Sequence, residues 1–285
     1  MTTTHRGEVR RLTHRQGPNF SLGFRFLPFD KRRAVYAAYA VCRIADDIVD
    51  EVPPTAPTEG ARAELDAWQE EVARAYEGTP SHPATTALAE VLERFPIPME
   101  AFLGLIEGCR WDLAKHRYAT FTELERYCEL VAVTISDISL AIFGAVHPDA
   151  PDRGRDLALA LQLTNICRDV GEDVGRDRIY LPLDELARFG VEEAALLRLE
   201  PGPGFAPLMA YQAVRARDRY RRASLLPSML AGNARLAVRM MGGVYVRILE
   251  RIAAEPTAVL SRRVRPTRAD RGRVVLAGFL GRPFE

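Results

Sequence analysis

Four carboxylates, Asp46, Asp47, Asp50 and Glu51, fall within six residues directly behind an apolar run. Tyr36, Tyr39, Arg43, Asp46 and Asp50 step by 3, 4, 3 and 4, which puts all five on one face of an α-helix. The remaining faces carry Val35, Ala38, Val41, Ile44, Ala45, Ile48 and Val49. A surface helix has a polar outside and an apolar stripe toward the core. This one is inverted, and a narrow polar stripe on an apolar helix belongs against a polar cavity inside a bundle. The inversion recurs over residues 157–182, where Gln162, Asn165, Asp169, Asp173 and Arg176 share a face and Leu161, Leu163, Ile166 and Val170 flank it.

Clustered carboxylates repel one another, and removal from water sharpens the repulsion. They stay ionised together when a cation sits among them. Oxygen ligands without Cys or His favour a hard ion, Mg²⁺ with Mn²⁺ as a substitute, and Mg²⁺ held by a few carboxylates completes its shell with water and phosphate. Arg43, Arg168, Arg176 and Arg178 supply fixed charge and bidentate donors for phosphate oxygens. The chemistry implied is that of a diphosphate ester bound through a divalent ion, with apolar walls around the rest of the ligand. Asp47, Glu51, Glu172 and Asp177 lie off the central stripes and read as surface charges, Asp47 being close enough to serve as a ligand.

The elements that must position these stripes are helical. Periodicity predicts helices from Asp30, as N-cap, to the break at 52–54, over 59–77, from 81–83 to Pro96, and from Pro98 to His116. Thr120 to Glu123 forms a capping-box pattern opening a helix that reaches 147–149. Further helices are predicted over 152–175, 184–189, 206–226 and 228–254, with a Pro/Gly-rich loop at 200–204. No segment alternates with period 2, and no GxGxxG or P-loop pattern occurs. The expectation is one all-α domain spanning 1–285, with residues 1–17 as a flexible N-terminal segment.

The net charge of +1 over 285 residues gives no reason to expect nucleic acid as a partner. The four cysteines, at 42, 109, 128 and 167, form no CxxC pair, which argues against a disulfide framework or a zinc site. A reducing cytoplasmic setting is expected. No signal peptide is recognisable, and "VVLAGFL" near the C-terminus is too short for an anchor. A lipid product would make peripheral membrane contact natural.

"YAVCRIADDIVDE" (39–51) and "LQLTNICRDVGEDVGRDRIYLP" (161–182) resemble the two aspartate motifs of the squalene/phytoene synthase family. The likeness extends through "NFSLGFRFLP" (19–28), "GCRWDLAKHRYATFTELERYC" (108–128), "VYVRILERI" (244–252) and "RRV" (262–264). The resemblance implies a class I isoprenoid synthase bundle with a central cavity. It implies Mg²⁺-dependent head-to-head joining of two prenyl diphosphates through a cyclopropylcarbinyl diphosphate. NADPH is needed only if the reaction ends by hydride transfer, as in squalene formation. Carried onto this chain, Asp46, Asp47, Asp50, Asn165, Asp169 and Asp173 hold metal. Arg43, Gln162, Arg168, Arg176, Tyr180, Tyr245 and Arg263 bind diphosphate. Tyr39, Arg43 and Tyr127 are the catalytic candidates, and Phe20, Val131, Val133 and Ser136 line the prenyl channel.

The chain departs from the family where "YCELVAVTIS" (127–136) stands for a pattern close to "YCYxVAGTVG". Val133 and Ser136 replace glycines, Glu129 replaces an aromatic, and Asp137 adds a carboxylate. "RDR" (176–178) replaces the commoner "RGR". These departures bear on substrate length more than on metal binding. Geranylgeranyl diphosphate, giving phytoene, is the leading expectation. Farnesyl diphosphate, giving presqualene diphosphate, squalene or dehydrosqualene, is the close alternative. A single-substrate terpene cyclase, a prenyltransferase to another acceptor and a non-catalytic scaffold are the more distant ones.

Overall fold

The computed structural model describes residues 23–53, 56–282 and 284. The predicted N-terminal segment 1–17 and Phe20 lie outside the described residues. Among those described there is no β-strand, only two isolated bridge pairs, Arg117–Ile179 and Ala145–Leu230.

Helix α1 (Phe29–Asp50) carries the first stripe. It starts one residue before the expected Asp30. Pro28 precedes it and no side chain caps it, while Asp30 sits in the first turn and pairs with Arg94 at 2.8 Å. Helices α2 (Glu59–Glu77), α3 (Pro83–Leu92) and α4 (Met99–Ala114) follow and pack against α1. Trp68 of α2 donates its indole N–H to the Val41 carbonyl at 3.2 Å, tying α2 to the buried side of α1.

Helix α5 (Phe121–Cys128) begins as expected at Thr120, whose Oγ1 accepts from the Glu123 N–H at 3.4 Å. Glu123 does not return to the Thr120 N–H. It accepts from the Ala119 N–H at 2.6 Å and pairs with Lys115, so the box is displaced by one residue. Behind α5 the helix widens into a π-turn, Glu129–Val133, in which the Thr134 N–H bonds to the Glu129 carbonyl, and then continues as α6 (Thr134–Phe143). The departures from the family pattern at 129 and 133 fall inside this turn.

Helix α7 (Ala150–Val174) carries the second stripe, and its other faces are buried along most of its length. After the short helices α8 (Leu183–Arg188) and α9 (Glu193–Leu197), helix α10 (Phe205–Ala223) packs along it. Thr164 and Tyr220 share a buried hydrogen bond of 2.9 Å, and Asp156 accepts from Arg219 and Arg222 at 3.0 and 3.1 Å. Helix α11 (Gly232–Ala254) completes the wall, and α12 (Arg268–Phe279) packs on α11. The Thr267–Asp270 capping box that opens α12 went unread in the sequence, as did α9. One cluster of buried apolar residues runs through nearly all of these helices. No helix among the described residues is long and apolar enough to cross a membrane.

Candidate active site

A cavity of about 360 Å³ lies within the bundle. Its polar end is lined by Tyr39 and Asp46 of α1, Asp112 of α4, Tyr127 of α5, and Gln162 and Asn165 of α7. Its apolar end is lined by Phe24, Ile142, Phe143, Leu226, Leu230, Val238 and Met241, among others. The two stripes therefore face one space from different helices, as their inversion requires.

The stripes are joined at the mouth. Arg176, just past α7, donates from Nη1 to Asp50 Oδ1 at 2.7 Å. Arg43 pairs with Asp47 one turn on and reaches Asp50 at 3.5 Å. Arg168 is buried and donates from Nε to Asp169 at 2.8 Å, and it also hydrogen-bonds Tyr245. Arg263 reaches the same Asp169 at 3.1 Å and Glu172 at 3.4 Å. Arg263 comes near α7 because the turn Pro256–Leu260 packs tightly there. A Cβ on Gly171 would lie 2.7 Å from the Val259 carbonyl oxygen, so only glycine allows that approach.

Among the described residues no arginine lies within ion-pair distance of Asp46 or Asp173. Burial pushes the Asp46 carboxyl up to about 7, with Arg43 opposing and Asp50 and Asp112 adding repulsion. Burial pushes Asp173 up to about 8, with Asp169, Asp112 and Glu172 adding to it against Arg178. The carboxylates are thus close enough to feel one another across α1, α4 and α7. Asn165 donates weakly to Gln162 at 3.4 Å, and its buried Oδ1 has no partner.

The orphaned Asn165 amide oxygen and the buried Asp46 carboxylate line the same cavity, and oxygen donors of this kind suit a hard cation. No three carboxylates, histidines or cysteines among the described residues converge on a single point, however. Arginines hold Asp47, Asp50 and Asp169 in ion pairs.

Asp112 went unread in the sequence, and it is central here. Tyr180 donates to its Oδ1 at 2.8 Å and Tyr127 to its Oδ2 at 2.9 Å, while Arg178 donates to its backbone carbonyl at 3.3 Å. Burial raises its carboxyl, opposed by Arg178 and the two hydroxyls. The rings of Tyr127 and Tyr180 stack at 5.3 Å, and Tyr118 stacks on Tyr180 at 5.7 Å. A lone carboxylate on an ordinary amphipathic helix gives no periodic signal; its i−3 neighbour Cys109, whose Sγ lies 3.6 Å from Asp46, gives none either.

Of the channel residues, Val131 and Ser136 line the cavity together with Ala132, Ile135 and Ser139. Val133 is not among these lining residues: it is half-buried against the apolar core, on a helix face turned from that shared by 131, 132, 135, 136 and 139. Phe24 supplies an N-terminal wall. Glu51 and Asp177 are exposed, and Asp177 pairs with Arg117 at 2.6 Å, as surface charges do.

A helical bundle around an apolar cavity with a carboxylate- and arginine-lined mouth is the architecture of the class I isoprenoid synthases. Within that class the chain belongs to the squalene/phytoene synthase family, whose model matches residues 13–270. It is 38% identical over 267 residues to phytoene synthase of Arthrospira platensis, covering 89% of this chain and 85% of that one. It is 38% identical to phytoene synthase of Thermus thermophilus over 276 residues, 96% of this chain and 92% of the other. Among solved structures, squalene synthase HpnC from Alicyclobacillus acidocaldarius superposes with a TM-score of 0.81 at 30% identity, covering 88% of this chain and 94% of its own. A dehydrosqualene synthase in complex with ligand superposes with a TM-score of 0.88 at 26% identity, covering 98% and 96%.

Proposed function

We propose that the protein joins two molecules of geranylgeranyl diphosphate head to head to give phytoene. The observation that carries this reading is the 38% identity to a phytoene synthase along 96% of the chain, with residues of both stripes, Tyr39 and Asp46 of one and Gln162 and Asn165 of the other, lining one cavity. Asp46, Asp47, Asp50, Asn165, Asp169 and Asp173 would hold Mg²⁺, or Mn²⁺ in its place. When bound, the ion supplies Lewis-acid neutralisation of diphosphate charge.

The protein's own residues do the rest. The allylic C–O bond of one substrate breaks, and the departing diphosphate keeps the electron pair. Arg43 and Arg176 exchange carboxylate partners for diphosphate oxygens through charge-assisted hydrogen bonds, and Arg178, held at the Asp112 carbonyl, adds its charge. Arg168, Arg263, Tyr245 and Gln162 fix the carboxylates and amide around them. The apolar walls exclude water that would quench the cation. The face of Tyr127, held by its bond to Asp112, offers the cation a ring quadrupole. Proton loss ends the phytoene reaction, which therefore needs no NADPH. The reading keeps the protein cytoplasmic, working at a membrane surface where substrate and product are lipids.

A second reading, with farnesyl diphosphate as substrate, draws support from the squalene and dehydrosqualene synthase structures and from the filled 127–136 segment. Incubation with each diphosphate and Mg²⁺, with product length read by mass spectrometry, tests the two. Turnover of farnesyl diphosphate alone overturns the phytoene reading.

A further inference from the structure

Among the described residues, five of the ten exposed large apolar side chains stand in two segments that meet. Phe26 and Phe29 stand at the entry to α1, with Phe29 67% exposed, and Leu276, Phe279 and Leu280, each 60–63% exposed, stand on α12 and its end. Phe26 and Phe279 meet edge to face with centroids 5.9 Å apart, so the two segments make one patch. Leu276, Phe279 and Leu280 are spaced i, i+3 and i+4, which gives α12 an apolar face directed away from α11. Contiguous apolar surface of this kind marks a contact with something outside the chain.

Its surroundings are basic. From Arg268 to Arg282 the sequence carries four arginines against a single aspartate, in a chain whose total charge is only +1. Arg271, Arg273 and Arg282, with Arg25 beside Phe26, are exposed and make no ion pair among the described residues. The arginines of the active site, by contrast, are nearly all engaged. Asp270, the one acid, is taken by the Thr267 cap.

The patch also adjoins the apolar end of the cavity. Phe24, two residues before Phe26, lines that end, and so do Val238 and Met241 of α11, the helix on which α12 packs.

We propose that Phe26, Phe29, Leu276, Phe279 and Leu280, ringed by Arg25, Arg271, Arg273 and Arg282, form a docking face for an anionic lipid leaflet, set so that the apolar end of the cavity opens toward the bilayer. The apolar side chains enter the headgroup boundary, and the arginines pair with lipid phosphates. That a long prenyl chain uses this route rests on the proposed function; the docking itself does not.

The test is flotation of the full-length protein with vesicles of phosphatidylcholine alone and with phosphatidylglycerol added. Wild type is expected to float with the anionic vesicles, at least tenfold less with the zwitterionic ones, and less as salt is raised. The triple change Leu276→Ser, Phe279→Ser, Leu280→Ser is expected to abolish flotation. Arg271→Glu with Arg273→Glu leaves the apolar face intact and is expected to weaken binding at least tenfold, which keeps the test decisive if the serine variant folds poorly. Both variants are expected to keep wild-type turnover of detergent-dispersed substrate, so loss of docking is separable from loss of chemistry. Equal flotation of wild type and both variants overturns the proposal. A dimer in solution that the serine variant converts to monomer, without any vesicle binding by wild type, assigns the face to a second copy and also overturns it.

Discussion

Arg176 Nη1 lies 2.7 Å from Asp50 Oδ1, so the segment after α7 is bridged to the end of α1 across the mouth of the cavity. Each of these residues belongs to a different acidic stripe, and each is paired with the other. On the proposed function, substrate entry begins as an exchange of partners, in which Arg176 leaves a carboxylate for a phosphate oxygen and Asp50 would be released to hold a cation.

That exchange makes the stripe carboxylates individually necessary. Asp46→Asn or Asp169→Asn is expected to lower turnover by about 10²–10³-fold, the scale of losing one preorganised electrostatic group. Circular dichroism should stay close to wild type for both; the melting temperature should hold for Asp46→Asn, whose buried carboxylate has no arginine partner among the described residues, and fall for Asp169→Asn, which leaves buried Arg168 without its counter-charge. Removal of divalent ions with EDTA is expected to abolish turnover, and added Mg²⁺ to restore it. Near wild-type turnover by either variant would refute the metal roles.

Asp112 is expected to matter as much as the motif aspartates. Asp112→Asn keeps the shape and loses the charge that accepts two tyrosine hydroxyls. The expected outcome is a fall in kcat of about 10²-fold, the low end of a lost general electrostatic contribution, with a smaller change in KM. Tyr127→Phe keeps the ring and removes the hydroxyl, and it should fall less far than Tyr127→Ala. Steady-state kinetics on the three variants checks this order.

Gly154 is expected to set how much prenyl chain the cavity admits. A Cβ there would lie 2.6 Å from Ser136 Oγ and 2.8 Å from Leu140 Cδ1, both cavity-lining residues of α6. Gly154→Ala must push these inward or move α6. The expected result is a shift of about tenfold or more in relative kcat/KM toward farnesyl over geranylgeranyl diphosphate, in line with the 1–3 kcal/mol that a methylene commands in an apolar pocket. Competition between the two substrates, with products separated by mass, measures it.

Acid sensitivity should come in part from Glu71, far from the cavity. It is buried, yet accepts from Ser81 N–H at 2.8 Å, Ser81 Oγ at 2.7 Å, His82 N–H at 2.8 Å and Thr85 Oγ1 at 2.6 Å. Burial raises its carboxyl, but bonds from Thr85, Ser81, His82 and Arg74 outweigh it and hold the group well below the usual carboxylate range. With the folded value depressed, its contribution is fully present above the unfolded value of about 4.3 and fades as pH falls toward the folded one. Glu71→Gln is expected to cost about 1–3 kcal/mol at pH 7, from buried donors left facing an amide, with the difference shrinking on acidification. Urea unfolding at pH 7 and pH 3 reads both values.

How much of this was legible depended on repetition. The two stripes could be read because five residues at helical spacing on each of two apolar helices make a periodic signal, and both reached the same cavity. Asp112 could not be read, since one carboxylate among Arg110, Trp111 and Leu113 has no period to stand on. Helix α12 escaped because its apolar face is short, although the Thr267–Asp270 cap was visible as a local pattern. The aspartate in "RDR" had a local reason that only the backbone reveals: Asp177 has a φ of 56°, a left-handed position that glycine fills at no cost and aspartate tolerates. Val133 was named from the resemblance, as a side chain standing where the family has glycine, and that substitution carried no information on which way the side chain faces; it is not among the residues lining the cavity.

The π-turn Glu129–Val133 has an evolutionary consequence. A π-turn holds one residue more than an α-turn between the same two flanks, so deleting a single residue from 129–133 leaves a continuous α-helix with both flanks still in phase. Tyr127 would keep its bond to Asp112 and Ser136 its place beside Gly154, while the wall between them changed composition. One codon lost or gained there could therefore redraw the side of the cavity in a single step, without passing through a broken site.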